Sequence, residues 1–97
     1  MTDLELTEAV AKKCGYSIKC ISERFVYIYN SDKIIITFDP LHDMNDLFKY
    51  VIPKLDEGIR IEFDNLYFEI HYGDEGIAYN GPLSDLNRAV CETMIKE

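Results

Sequence analysis

Thiol and imidazole side chains, which serve as nucleophiles, bases and zinc ligands, are few: the chain has three cysteines and two histidines, at Cys14, Cys20, Cys91, His42 and His71. A catalytic cysteine needs a base and an orienting group beside the thiol. A structural zinc site needs four ligands at short paired spacings. The chain has no CxxC pair, and no recognisable catalytic motif surrounds any of these residues. We therefore predict that the protein is not an enzyme and has no catalytic residues, metal site or cofactor.

The cysteines also bear on the compartment. Cys14 and Cys91 fall on the apolar stripes of two predicted helices, which favours buried thiols in a reducing environment. The first residues lack the basic start of a signal peptide, and the apolar runs are shorter than a membrane span. We expect a cytoplasmic protein.

The charge balance limits the classes of partner. Eighteen acidic residues against ten basic ones leave a net charge of −8. Proteins that bind nucleic acids use clustered cations, whereas the basic pair here, Lys12-Lys13, lies at a predicted helix end that favours cations. We predict neither direct nucleic-acid binding nor attachment to an anionic membrane. A basic protein partner fits the charge, although such acidity also serves solubility.

Paired carboxylates are the remaining candidates for chemistry. Asp43 and Asp46 suit the first turn of a helix, where the dipole favours anions. Glu62 and Glu69 lie on two predicted strands that a hairpin would bring side by side. We expect an acidic patch there if both are exposed, unless Arg60 pairs with one of them.

Seven tyrosines occur in the 97 residues, and five of them fall on predicted strands. Such tyrosines form either buried cross-strand pairs or an exposed face for protein contact. Tyr67, Glu69 and His71 alternate along one strand face and suit the second use. The candidate partner-binding residues are therefore Glu62, Asp64, Tyr67, Glu69, His71, Asp74 and Glu75.

The elements that must position these residues begin with a helix. Thr2 and Glu5 have the spacing of a capping box, and Gly15 suits the left-handed residue that ends a helix, so we predict a helix from Asp3 to Cys14. Strands follow over 16–21, 25–29 and 34–38. The unbroken apolar run at 34–36 predicts a strand covered on both faces.

The second half is predicted to have the same order of elements, one helix followed by three strands, and then a last helix. Asp43 or His42 can cap a helix that starts near Met44, and Pro53 should kink or end it. Alternation predicts strands over 59–63 and 66–72 around a turn at Asp64, and a short strand over 77–79. We expect the last helix to begin at residues 80–82.

This order predicts one α+β domain over residues 1–97. Short connections favour antiparallel pairing, so we expect three helices on a mostly antiparallel sheet of five or six strands, a helix-sheet-helix sandwich. An edge strand such as 77–79 could pair across a dimer.

Three segments resemble a known family. The stretch Phe38–Asp46 is similar to a Phe-x-Pro…Asp-Trp-Asn-Asp motif of the phage ABA sandwich domain, Ala11–Tyr16 to the end of its first helix, and Leu86–Val90 to its closing segment. The resemblance covers nearly the whole chain in order and spacing. It implies a helix-sheet-helix sandwich and a phage or prophage origin. The family brings no established activity, so it assigns no functional residues.

The hypothesis that follows is a small acidic phage-type protein that acts by protein–protein interaction. Its carboxylates would compete with phosphates for arginine and lysine side chains, as in an anti-defence, anti-CRISPR-like inhibitor that occupies a basic nucleic-acid-binding surface. Three alternatives remain open: an immunity protein or antitoxin against a cationic nuclease, a small-molecule-binding domain, and a structural phage module.

Overall fold

The chain begins with a helix that is capped as its sequence predicts. The computed structural model describes residues 1–74 and 76–96. Helix α1 spans Asp3–Lys13, and the side chains and backbone N–H groups of Thr2 and Glu5 form the reciprocal capping box. Gly15 adopts a φ of +85° just after the helix, a conformation that glycine tolerates best. Both predictions for this helix are confirmed.

The first sheet follows helix α1. Its strands are β1 (Ile18–Ile21), β2 (Val26–Tyr29) and β3 (Ile35–Phe38), paired antiparallel in the order β1-β2-β3. Val26 and Ile28 of the central strand point into the core and are fully buried.

An irregular helical segment joins the two halves of the chain. Helix α2 (Met44–Asp46) continues as a π-helical turn over Leu47–Val51 and a 3-10 turn over Ile52–Lys54. The Asp43 carboxylate accepts a hydrogen bond from the Asn45 N–H at 2.8 Å and caps its start. Pro53 lies in the 3-10 turn that ends the helical segment at Lys54, in agreement with the predicted break. The regular α-helix itself is shorter than expected and already ends at Asp46.

The second sheet carries the candidate residues. Its strands are β4 (Ile59–Phe63), β5 (Tyr67–Tyr72) and β6 (Ile77–Pro82), all antiparallel in the order β4-β5-β6. A 3-10 turn then leads into helix α3 (Leu86–Lys96). The expected helix start at residues 80–82 is wrong because the ladder continues there: Gly81 pairs with Phe68 and Pro82 with Tyr67.

The α+β class and the antiparallel pairing are confirmed, but the single sheet of five or six strands is wrong. The described strands form two three-stranded sheets instead. After β3 the chain turns at Pro40 and enters the irregular helix, so β3 and β4 do not become neighbours in one ladder.

The prediction that the strand at 34–36 is covered on both faces is also wrong. Ile34 is 59% exposed and Ile35 is 44% exposed, whereas Phe38 at the end of β3 is fully buried. The strand therefore buries one side only, and its apolar run leaves two isoleucines at the surface.

One hydrophobic cluster joins both sheets and the helices. Its buried members include Val10 of α1, Ile28 of β2, Val51 of the π-helical turn, Ile70 of β5 and Val90 of α3. Helix α1 packs against α3 and β2, and α3 packs against β6. Among the described residues, no helix is long and apolar enough to cross a bilayer.

Candidate functional site

The β4–β5 hairpin brings charged side chains into register on its outer face. Glu62 lies directly opposite Glu69, and Arg60 lies directly opposite His71. The inner face holds Phe68 and Ile70, which are buried. Side chains alternate between the two faces of a strand, so burial of the apolar set fixes the charged set outward. The expectation that Glu62 and Glu69 lie side by side is confirmed.

Glu62 is the centre of the contacts on this face. Its Oε1 lies 3.2 Å from Arg60 Nε, and its Oε2 lies 3.5 Å from His71 Nε2. The Glu62 side chain remains 55% exposed, whereas the His71 side chain is only 14% exposed. Arg60 thus pairs with one of the two glutamates, as the sequence allowed. Among the described residues, no basic side chain forms an ion pair with Glu69.

Asp64 shapes the turn between the two strands. Its Oδ1 accepts hydrogen bonds from the backbone N–H groups of Leu66 at 2.7 Å and Tyr67 at 2.8 Å. These two bonds favour the ionised carboxylate and lower the pKa of Asp64. Leu66, predicted as the first residue of the strand, belongs to the turn instead, since β5 begins at Tyr67. Its side chain is 68% exposed.

The turn end of the hairpin forms an open acidic cleft. Its volume is about 290 Å³, and its lining residues are Glu62, Phe63, Asp64, Tyr67 and Glu69. Tyr67 is 61% exposed and Phe63 is 52% exposed, so two aromatic rings accompany three carboxylates. We call this depression the acidic cleft.

Not all of the predicted binding residues meet at the cleft. His71 lies further along β5, beside the pair Glu62 and Glu69. Asp74 is exposed in the turn that follows β5. The seven steps from Tyr67 to Asp74 correspond to roughly 20 Å of extended chain, so Asp74 lies at the opposite end of the strand. Glu75 lies outside the described residues.

Phe63 is the cleft residue that the sequence reasoning missed. The alternation of β4 places it with Ile59 and Ile61 on the inner face, yet half of its surface is exposed. Its ring makes an edge contact with Phe48 of the π-helical turn, with 5.8 Å between centroids. Its position as the last residue of β4, where the sheet face ends, was the available signal.

The predicted burial of Cys14 and Cys91 is confirmed. Cys14 and Cys91 are buried, and Cys20 is exposed on β1. Burial raises the pKa of the Cys91 thiol to about 12, which suppresses the thiolate form that would react. Cys91 therefore serves as a packing residue of helix α3.

The second histidine belongs to a different corner of the molecule. His42 Nδ1 lies 2.9 Å from Asp39 Oδ1, and its Nε2 lies 3.8 Å from Asp3 Oδ2. Asp3 also pairs with Arg88 of helix α3. These contacts tie the start of α1 to the chain reversal before α2, and none of them reaches the acidic cleft.

Comparisons with protein-family models, with curated proteins and with solved structures found no match to this chain. The resemblance to the phage ABA sandwich domain therefore stays a prediction, and the geometry of the hairpin carries the functional argument.

Proposed function

We propose that the protein is a binding protein that uses the acidic cleft to take up basic side chains of a protein partner. The observation that carries this proposal is the convergence of three carboxylates and two exposed rings in one open depression. The net charge of −8 gives the whole chain an attraction for a basic surface. No catalytic step is part of the proposal.

The cleft suits a guanidinium or ammonium group on two counts. Carboxylates accept charge-assisted hydrogen bonds from arginine, often two at once. The exposed rings of Tyr67 and Phe63 line the cleft, and an aromatic ring attracts a cation over its face, more strongly when the cation leaves water. Tyrosine is also among the residues enriched at protein interfaces. A partner arginine would find both kinds of contact within the acidic cleft.

The narrower form of the proposal concerns the partner. A protein surface that binds nucleic acid displays arginine and lysine side chains for phosphate groups. The hairpin carboxylates would occupy those side chains and exclude the nucleic acid, as an anti-defence inhibitor of the anti-CRISPR type does. An immunity protein against a cationic nuclease would use the same chemistry, and the identity of the captured partner separates the two.

A pull-down from bacterial lysate tests the proposal. The bait is the tagged full chain, washed at low and then at high salt, with retained proteins identified by mass spectrometry. The double variant Glu62→Gln/Glu69→Gln removes two cleft charges. The matched control Glu23→Gln/Asp32→Asn removes two exposed charges from the first sheet's connections.

We expect the wild type and the control variant to retain the same basic, nucleic-acid-handling protein. High salt should release it because exposed charges are screened, and the cleft variant should retain little of it. Added nucleic acid should compete for that partner. Equal retention by the cleft variant, or no partner at either salt, would contradict the proposal.

A second function is favoured by the exposed apolar residues on the outer strands. Ile34 and Ile35, before and within β3, are 59% and 44% exposed, and Ile77 of β6 is 50% exposed. Both strands lie at the ends of their sheets, where unpaired backbone groups can pair with another chain. A self-assembling module would give a dimer or larger species in light scattering over a concentration series, whereas a binding protein of the first kind would remain a monomer.

A further inference from the structure

The outer face of the hairpin contains a histidine nitrogen with no hydrogen-bond partner. The Nε2 atom of His71 is buried, and no group among the described residues donates to it or accepts from it with hydrogen-bond geometry. The large majority of buried polar atoms in proteins have a partner, and a bound ion is one of the few explanations for an exception. Its nearest charged neighbour is Glu62 Oε2 at 3.5 Å.

Two carboxylates flank that nitrogen. The ligand atoms of Glu62, Glu69 and His71 all lie within 4.8 Å of one another, and Glu62 Oε2 is 3.5 Å from His71 Nε2. Bond lengths of 2.0–2.2 Å to a tetrahedral ion place neighbouring ligand atoms about 3.4 Å apart. The exposed Glu62 side chain can supply the small movement that remains.

We propose that Glu62, Glu69 and His71 bind one transition-metal dication, with zinc as the ion that fits the donors best. Zinc takes imidazole nitrogen together with carboxylate oxygen and accepts three protein ligands plus water. Magnesium and calcium prefer oxygen ligands alone. The site does not depend on the proposed partner binding, although it shares two glutamates with the acidic cleft.

The surroundings support the ion in two ways. Arg60 holds the Oε1 atom of Glu62, so the Oε2 atom stays directed at His71; ligating carboxylates are commonly held by such outer contacts. Glu62 and Glu69 are also directly opposite like charges, an arrangement that destabilises a sheet. A dication between them removes that repulsion and joins strand β4 to strand β5.

Zinc titration of the purified full chain tests the site, by calorimetry and by NMR of the imidazole nitrogens. The buffer contains a non-thiol reductant, and all proteins carry Cys20→Ser, because Cys20 is the exposed cysteine. Two histidines occur in the chain, so the imidazole signals are readily assigned. His71→Gln removes the proposed ligand, and His42→Gln is the matched control.

We expect one zinc ion to bind the parent protein and the His42→Gln variant equally, with the Nε2 resonance of His71 shifting. His71→Gln and Glu62→Gln/Glu69→Gln should each weaken binding by tenfold or more, and magnesium at the same concentration should not compete. If a variant unfolds, the shift of the His71 resonance in the parent protein decides the matter. Absence of zinc binding, binding unchanged by His71→Gln, or binding lost with His42→Gln would overturn the proposal.

The zinc titration contains no protein partner. Failure to bind zinc would therefore overturn the metal-site proposal but not the proposed binding of a basic partner at the acidic cleft. The metal site and the acidic cleft share Glu62 and Glu69. An ion on Glu62 and Glu69 reduces the negative charge available to a basic partner, and zinc should therefore weaken capture in the pull-down.

Discussion

At the residue scale, Asp64 has a structural task that its charge alone does not reveal. Its Oδ1 accepts hydrogen bonds from two backbone N–H groups of the hairpin, those of Leu66 and Tyr67. A charge reversal there would break the turn as well as alter the cleft. The cleft variants therefore change Glu62 and Glu69, whose side chains form no hydrogen bond to the backbone of any residue that the structure describes.

We predict that Asp64→Ala lowers the melting temperature, whereas Asp64→Asn retains most of the stability because the amide oxygen can still accept the two bonds. The pKa of Asp64 is lowered in the folded state by these bonds. The part of their stability that depends on the ionised carboxylate is therefore present above the ordinary aspartate pKa and is lost as the pH falls through the lowered value. Thermal melts between neutral and acidic pH measure both effects. Equal melting temperatures for wild type and Asp64→Ala would contradict this role.

Replacing Glu69 should raise the stability of the fold while removing one of the carboxylates proposed to bind the partner. It faces Glu62 directly across the ladder, and opposed like charges cost a sheet a few tenths of a kcal/mol to about 1 kcal/mol. We predict that Glu69→Gln raises the free energy of unfolding by about 0.5 kcal/mol at low salt, and by less at high salt.

Urea unfolding in the presence of a metal chelator measures that change without a contribution from bound ions. Glu23→Gln serves as the control, since Glu23 is exposed in the loop between β1 and β2. The account would be contradicted if Glu69→Gln destabilised the protein, because the carboxylate would then be satisfied within the fold.

At the element scale, one hydrogen bond fastens the end of helix α1 to the irregular helix. The Tyr16 hydroxyl donates to the Tyr50 carbonyl oxygen at 2.7 Å. The Tyr16 ring also packs edge-on against that of Tyr50 and obliquely against Phe38, with centroids 6.0 Å and 5.9 Å away. The π-helical turn that contains Tyr50 thus has an anchor outside its own backbone.

We predict that Tyr16→Phe lowers the free energy of unfolding by about 1 kcal/mol, the net value of one such bond. Burial raises the pKa of Tyr16. The contribution is therefore fully present below the ordinary tyrosine pKa of about 10 and is lost as the pH rises through the raised value. Denaturant unfolding at neutral and alkaline pH measures it.

Tyr67→Phe is the matched control, because Tyr67 is 61% exposed and its hydroxyl takes part in no described contact. It should leave the free energy of unfolding unchanged. Equal effects of the two substitutions would show that the Tyr16 bond does not anchor the helix.

The elements predicted correctly are those specified by local patterns. The capping box at Thr2, the break at Pro53 and the hairpin around Asp64 each depend on residues a few positions apart. The helix start predicted at residues 80–82 was wrong because asparagine, glycine and proline are typical turn residues. In the structure they pair with β5, where the small Gly81 lies against the Phe68 ring.

The division into two sheets was not predictable from local patterns. Whether β3 and β4 pair depends on the path of residues 39–58, which is set by tertiary packing of the irregular helix. Four of the five residues that line the acidic cleft were named from alternation and charge. Phe63 was missed because alternation assigns it to the inner face, and the termination of the sheet there exposes it.

At the scale of the whole molecule, the two sheets have different surfaces. The first leaves Ile34 and Ile35 exposed just before and within β3, whereas the second presents carboxylates and rings on its hairpin. Both contribute inner faces to one core with helices α1 and α3. The charged surface therefore lies on the hairpin face that points away from this core.

The central claim is that basic side chains bind at the acidic cleft. The most direct test is an NMR titration of the ¹⁵N-labelled full chain with a hexa-arginine peptide, at low salt and with a metal chelator. We predict that the largest amide shifts fall on Glu62, Asp64, Tyr67 and Glu69. Glu62→Gln/Glu69→Gln should raise the dissociation constant about tenfold, and Glu23→Gln/Asp32→Asn should leave it nearly unchanged. Shifts spread evenly over the acidic surface, or equal weakening by the two double variants, would contradict the claim.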